Sequence, residues 1–346
     1  MGLIESLIEK GRSRRVLITR LRYLGDVILT TPVIEVLKRS YPELEIFYMA
    51  EKPYIEVLRG NPYLSGMIGI EQGSRDIFKD ILKVRRMGFS IVVDLFYNPK
   101  SAWLSFFSGA RVRIGGPRRW RRKLYTHSFV AEKGVRSAVL HHLSVLKLFG
   151  IDTEELLPRV YLMTEEKEWA QAFVKRIFSR EKKKEFLVVH PSAKWQAKRW
   201  PEESFVELIT LINRELGMKT LLISSPGDVG RSQRIWSKTQ NGSVLLPVLP
   251  IRELVGIMSL SRGVVANDGG IMHLGVALGV PTVGIMGPTD PQIWFPYSDM
   301  GPYSVVYLAK KCSPCDRHYC EDRSCMDDIS PQDVFRHLKE VMNYVG

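Results

Sequence analysis

Two turns in the second half of the chain have the composition of a phosphate cradle. The stretch His190–Pro201, HPSAKWQAKRWP, lies between an apolar run expected to be a strand, Phe186–Val189, and an expected helix, Pro201–Leu216. It offers Ser192, Lys194, Lys198 and Arg199. A lysine beside a helix N-terminus can neutralise a diphosphate as a fixed charge. The second turn, Asn267-Asp268-Gly269-Gly270, follows Val264-Val265 and opens a stretch, Ile271–Leu278, that is apolar on almost every side. Glycines at a helix start let backbone N–H groups approach an anion, and the helix dipole favours it. Plainer readings compete at both turns. Asp268 is a sound N-cap, the glycines suit a tight turn, and Lys198 and Arg199 suit a solvated loop beside packed Trp195 and Trp200.

Three other groups carry chemistry. Asp26, ahead of the apolar Val27 and Ile28, is a carboxylate at an expected helix start, where the residues alone favour a cap. The chain has a formal net charge of +13, and its basic residues gather at Arg111, Arg113, Arg118, Arg119, Arg121, Arg122 and Lys123, with Trp120 among them. That excess fits an anionic partner: nucleic acid, acidic lipid or a phosphorylated substrate. No RRM, KH, helix-turn-helix or zinc-finger pattern accompanies it. The four cysteines, Cys312, Cys315, Cys320 and Cys325, all fall in one short segment. The first pair has the spacing of half a zinc site, and the second is wider than a double knuckle allows. A structural metal, two local disulfides and four free thiols all stay open.

Alternating strands and helices must position these groups. Val16–Thr19, Leu44–Met49, Met67–Ile70, Ile91–Leu95 and Val112–Ile114 are expected strands, and Ile77–Met87, Ser101–Phe107 and Val139–Phe149 expected helices. Pro32 either kinks the first helix or begins its regular part. After a linker around Ile151–Met163 and a charged helix, Glu165–Phe178, the pattern restarts. Gly279 and Pro281 close the Ile271–Leu278 helix, Thr282–Met286 is the next strand, and Gly287-Pro288-Thr289-Asp290 the next turn. A parallel βαβ unit results, and such sheets bind ligands beyond their carboxyl ends. The 346 residues, 45% apolar and 25% charged, suit two soluble α/β domains, doubly wound, hinged at a cleft. We expect one over 1–160, a second over 161–330, and a last helix over 331–346 that packs back on the first domain. No GxGxxG fingerprint is present, which argues against a dinucleotide-dependent dehydrogenase. No apolar run approaches the roughly 20 residues of a membrane span. Leu3, Ile4, Leu7 and Ile8 share a helical face ahead of Lys10, Arg12, Arg14 and Arg15, suited to an anionic membrane or to docking on the protein itself. Met1-Gly2 with Ser6 fits the short myristoylation pattern.

HPSAKWQAKRWPEESF together with NDGGIMHLGVALGVPTVGIMGPTDP resembles glycosyltransferase family 9, the heptosyltransferases of lipopolysaccharide core assembly. RVLITRLRYLGDVILTTPVIEVLK, SAWLSFFSGARVRIGG and the cysteine stretch CSPCDRHYCEDRSCM share the likeness, the last nearest to the heptosyltransferase II branch. The resemblance implies a GT-B fold of two facing Rossmann-like domains. It implies inverting transfer of heptose from ADP-heptose to the lipopolysaccharide inner core, with no cofactor needed for catalysis. It places the catalytic base at Asp26 and donor contacts at Lys198, Asp268, Gly269, Gly270 and His273, with Ser192 and Lys194 in the same turn. Lys194 departs from the family, whose members often carry a small hydroxyl residue there. Arg118, Arg119, Arg121 and Arg122 would face the anionic acceptor. The implied location is cytoplasmic and peripheral to the inner membrane, with no nucleic-acid partner. The competing readings are a family 9-like transferase for another nucleotide sugar and a non-catalytic anion- or RNA-binding protein.

Overall fold

In the computed structural model, which describes residues 14–73, 77–131, 134, 136–154, 156–179 and 185–344, the chain divides into two compact units, Met1–Tyr161 and Leu162–Gly346. The apolar N-terminal face and the myristoylation pattern lie outside the described residues, except Arg14 and Arg15. The first unit holds β1 (Arg15–Thr19), β2 (Glu45–Glu51), β3 (Gly66–Ile70), β4 (Ile91–Asp94), β5 (Val112–Gly115) and β6 (His127–Ser128), in the order β3-β2-β1-β4-β5-β6. The second holds β7 (Phe186–His190), β8 (Lys219–Leu222), β9 (Ser243–Leu245), β10 (Gly263–Asn267), β11 (Thr282–Met286) and β12 (Tyr303–Tyr307), in the order β12-β11-β10-β7-β8-β9. Numbered within each unit, both sheets read 3-2-1-4-5-6, the doubly wound Rossmann order, although the two halves share no detectable sequence repeat.

Every pairing is parallel. Central strands of such sheets are buried on both faces, so they read as unbroken apolar runs. Val265 pairs with Val189 on one side and Val283 on the other, and all three are fully buried. In the first unit Val16 sits between Ile46 and Ile91. The order of strands reverses between β1 and β4 and again between β7 and β10. At these switch points the carboxyl ends diverge and leave room for a ligand. Asp26 follows β1, the lysine turn follows β7, and Asp268 follows β10.

The structure corrects several expectations. Residues 331–343 form a helix capped by Ser330, whose hydroxyl accepts from the Asp333 N–H at 3.1 Å. Its apolar face, Val334, Phe335, Leu338, Val341 and Met342, is spent in the core of the second unit, against β10, β11, β12 and the helix Glu202–Leu211. It therefore counts among the elements of that unit. Of the two readings of Pro32 the second holds: a regular helix, Thr31–Ser40, begins beside it after the short helix Leu24–Leu29. The expected Val139–Phe149 helix tightens to a 3-10 turn from Ser144 onward. The helix Val229–Thr239 and strands β6 and β12 were not anticipated.

Candidate functional site

In the second unit the two turns meet. Lys198 Nζ lies 2.6 Å from Asp268 Oδ2, with the two side chains 14% and 5% exposed. Thr289, from the turn after β11, donates its hydroxyl to the same Asp268 oxygen. Lys198 also stands 4.2 Å from the centroid of the Trp195 ring. Asp268 therefore does not cap the helix Gly270–Ala277 with its side chain; it is held as the anion of an ion pair. Gly269 has an extended backbone, φ 170°, and a Cβ there would meet only Asn267 O, at 3.8 Å. The space at the helix start is open.

Four elements pin the lysine turn. Asn267, the last residue of β10, donates its amide to Pro191 O at 2.7 Å and accepts from the Trp200 N–H at 3.3 Å. Arg231, buried in the unanticipated helix, donates to Pro191 O, to Trp200 O and to Glu202. Ser192 is buried, and its hydroxyl accepts from the Ser225 N–H at 3.3 Å. The cysteine segment supplies the fourth support: His318 stacks on Trp195 at 3.9 Å between centroids and accepts from the Ala197 N–H. The same segment donates the Cys315 and Asp316 N–H groups to Pro288 O, so it ties the lysine turn to the turn after β11.

The remaining donor candidates are placed less directly. Lys194 is exposed. His273 is buried within the Gly270–Ala277 helix, its Nδ1 3.2 Å from Tyr297 Oη. Burial lowers the His190 imidazole to about 4, so it is a neutral ring at neutral pH; its Nε2 lies 3.2 Å from Ser225 Oγ. Arg199 serves the turn itself, with Nε donating to Ala193 O at 2.9 Å.

The four cysteines are free thiols, with Cys325 buried and Cys312 exposed. Among the described residues no group of three or more His, Cys, Asp and Glu side chains is arranged to hold a metal ion. Burial, then the nearby Cys312, Cys315 and Cys320, pushes the Cys325 thiol up.

In the first unit Asp26 occupies the third position of the helix Leu24–Leu29. Its Oδ2 accepts from the Tyr23 N–H at 2.9 Å, and its Oδ1 pairs with Arg20. Capping and chemistry coexist, because a carboxylate has about four lone-pair sites and these contacts use two. Arg20 lies over Phe96, 4.7 Å from its centroid, and donates to Leu95 O. Beside it, Tyr97 Oη is 3.0 Å from His141 Nε2, and the Arg118 guanidinium lies 5.6 Å from the Tyr97 centroid. Burial, then Arg20 and Arg118, lowers the His141 imidazole, so it too is neutral at neutral pH. Tyr97 has φ 37°, an uncommon value for a side chain of this size, and its N–H is held by buried Asp94. Asp94 also accepts from Thr19 and from Tyr125 Oη, at 3.0 and 2.7 Å. Gly116 is obligatory here, since a Cβ would stand 2.8 Å from the Tyr97 ring. Of the acceptor candidates, Arg118 and Arg122 are exposed, Arg121 is partly buried, and Arg119 opens the 3-10 turn Arg119–Leu124.

Two Rossmann-ordered units, with a lysine–aspartate pair at a glycine-led helix start in the second, have the α/β architecture of the GT-B class. The model of glycosyltransferase family 9 (heptosyltransferase) matches residues 77–325, and the chain belongs to that family. It is a glycosyltransferase. It is 26% identical over 295 residues to lipopolysaccharide heptosyltransferase 3 of Escherichia coli, covering 81% of this chain and 85% of that one. Among solved structures it is similar to the glycosyl transferase family 9 protein of Veillonella parvula, with a TM-score of 0.83, 24% identity, and 95% and 97% of the two chains covered. It is also similar to the E. coli ADP-heptose lps heptosyltransferase II, with a TM-score of 0.80, 21% identity, and 95% and 98% covered. No helix among the described residues is long and apolar enough to cross a membrane.

Proposed function

We propose that this protein transfers heptose from ADP-heptose to the lipopolysaccharide inner core with inversion at the anomeric carbon. The observation that carries the reading is the Lys198–Asp268 pair at the open start of the Gly270–Ala277 helix. Family membership and relatives named as lipopolysaccharide heptosyltransferases support the donor and acceptor assignment. In this reaction Asp26 takes the proton of an acceptor hydroxyl as its oxygen forms a bond to the anomeric carbon. The bond from that carbon to the diphosphate oxygen breaks, and its electron pair leaves with ADP. Lys198 and the N–H groups at the helix start stabilise the developing charge, so the step assigns no role to a metal. Asp268, itself anionic, suits the heptose hydroxyls through its second oxygen. Ser192, Lys194 and His273 are assigned to the donor side, and Arg118, Arg119, Arg121 and Arg122 to the anionic acceptor. The reaction is placed in the cytoplasm at the inner membrane.

The test is ADP release from ADP-heptose in the presence of heptose-deficient core, repeated with a panel of other nucleotide sugars. Asp26→Ala should abolish turnover and leave ADP affinity nearly unchanged. Loss of ADP binding in that variant would make Asp26 a donor-binding or structural group, and release only from another nucleotide sugar would reassign the donor.

A further inference from the structure

One residue of the first unit is held in a backbone conformation that its side chain disfavours. Tyr97, just beyond the end of β4, has φ 37°. Such backbone suits glycine or asparagine and is costly for a bulky ring, so it persists only where the surroundings over-determine it. Here they do. Asp94, fully buried, accepts from the N–H groups of Phe96 and Tyr97 at 2.9 and 2.8 Å through one oxygen, and from Tyr125 Oη through the other. Asn98 then caps the helix Pro99–Phe107 by accepting from the Ser101 N–H at 2.8 Å. At the end of β5 two consecutive glycines make room for the rings. A Cβ at Gly115 would run into Tyr125, and one at Gly116 would stand 2.8 Å from Tyr97.

The strained residue lies beside the switch point between β1 and β4, where doubly wound sheets bind their ligands. Arg20, which pairs with Asp26, donates to Leu95 O and lies over Phe96. One guanidinium thus links the Asp26 carboxylate to the segment that carries Tyr97. The Tyr97 hydroxyl is 3.0 Å from His141 Nε2, and both groups are neutral at neutral pH, because burial raises the phenol and lowers the imidazole. Arg118 lies 5.6 Å from the Tyr97 centroid. A phenol that makes one bond to an imidazole keeps the capacity for a second. A neutral hydroxyl near two guanidinium groups suits a ligand that carries both hydroxyl and anionic groups, which is the composition of an acidic sugar.

The geometry points to Tyr97 as a specificity-determining residue for the acceptor, its phenol bonding a hydroxyl group of an anionic sugar whose acidic group meets Arg118. The inference rests on the reading of the first unit as the acceptor side, and it gives the strain at this position a purpose. Its test is calorimetric titration of the full chain with heptose-deficient core in the absence of donor, beside steady-state kinetics. Tyr97→Phe keeps the ring and removes one hydrogen bond. It should raise the core dissociation constant and KM by about threefold to tenfold, with kcat nearly unchanged. Tyr97→Asn, which accepts a positive φ, should raise them by about tenfold or more. ADP affinity should match wild type in both variants, and Tyr97→Phe should keep its unfolding midpoint. A merely structural tyrosine would instead weaken ADP and core together or lower the midpoint. Undiminished core binding by both variants, or equal losses for ADP and core, would overturn the proposal. So would a wild type that binds no core, which would remove the acceptor reading with it. If wild type binds core yet releases no ADP from ADP-heptose, the donor assignment alone fails, and the binding comparison still decides for or against Tyr97.

Discussion

The Lys198–Asp268 pair makes a double-variant prediction that separates support of the fold from donor binding. Removing one partner of a buried ion pair costs about 3–5 kcal/mol, because a charge is left behind without its counterpart. Asp268 would keep the Thr289 hydroxyl, and the lysine end is 14% exposed. The expected loss for Lys198→Ala is therefore nearer 2 kcal/mol. For a unit of this size that lowers the unfolding midpoint by about 4–8 °C. Adding Asp268→Asn removes the stranded charge and should restore at least half of the midpoint. ADP affinity should behave differently. Losing a charge-assisted contact to phosphate costs about 1.5–3 kcal/mol, or roughly tenfold to a hundredfold in the dissociation constant. That loss should persist in the double variant. Asp268→Asn alone keeps the lysine but loosens its position, so it should weaken ADP less than Lys198→Ala does and weaken ADP-heptose further. Calorimetric unfolding and titration calorimetry with both nucleotides read all four proteins. If ADP affinity recovers together with stability in the double variant, Lys198 only supports the turn and its assignment to the diphosphate is refuted.

Gly269→Ala should change stability by less than about 0.5 kcal/mol, since its backbone is extended and its Cβ has room, yet weaken ADP about tenfold by occupying the cradle; unchanged ADP affinity in a calorimetric titration would remove the glycine from the donor site. His190, lowered from 6.5 to about 4 by burial, binds its proton more readily unfolded than folded. Its contribution is thus present above pH 6.5 and lost as pH falls toward 4, and His190→Gln should flatten the urea-derived stability profile in that window; a parallel profile would show that His190 does not set it. Tyr125→Phe removes one of the donors to buried Asp94 and should cost about 1–2 kcal/mol by chemical denaturation, with no loss counting against that role.

How far the sequence announces its structure depends on what each element buries. Strands β7, β10 and β11 are apolar at nearly every position because both faces are covered, and they were legible as runs. Strand β12, Tyr-Ser-Val-Val-Tyr, is a half-buried edge between glycine- and proline-rich turns, and its alternation is too short to stand out. The helix Val229–Thr239 was hidden for a different reason. Its buried positions include Arg231 and Ser232, polar groups turned inward, and Arg231 clamps the lysine turn, so apolar periodicity fails where the helix serves the site. The turns around Lys198, Asp268 and Asp26 were visible as short patterns. Asn267 and Thr289 were visible only as turn residues; their contacts to Pro191 and Asp268 were not, because strand order rather than local spacing creates them. The switch point brings β7 beside β10, and only then does Asn267 reach Pro191.

In the proposed reaction, the supports around the lysine turn would let one ion pair serve a step that produces negative charge. A flexible lysine must surrender side-chain freedom when it meets a diphosphate, and that cost is subtracted from binding. Here the turn is already fixed by Asn267, Arg231, Ser192 and the cysteine segment, and Asp268 holds the ammonium at the helix start before any donor arrives. A charge held in position needs no reorganisation as the leaving group departs, which is where such stabilisation acts on rate rather than on binding alone. The cysteine segment has a particular place in this arrangement, because it joins the turn after β7 to the turn after β11 through backbone bonds. In the first unit the equivalent switch point fixes a carboxylate instead, with Asp26 held by the Tyr23 N–H and Arg20. One topology used twice thus positions groups of opposite charge: a carboxylate in one unit, and in the other a cation beside a helix N-terminus.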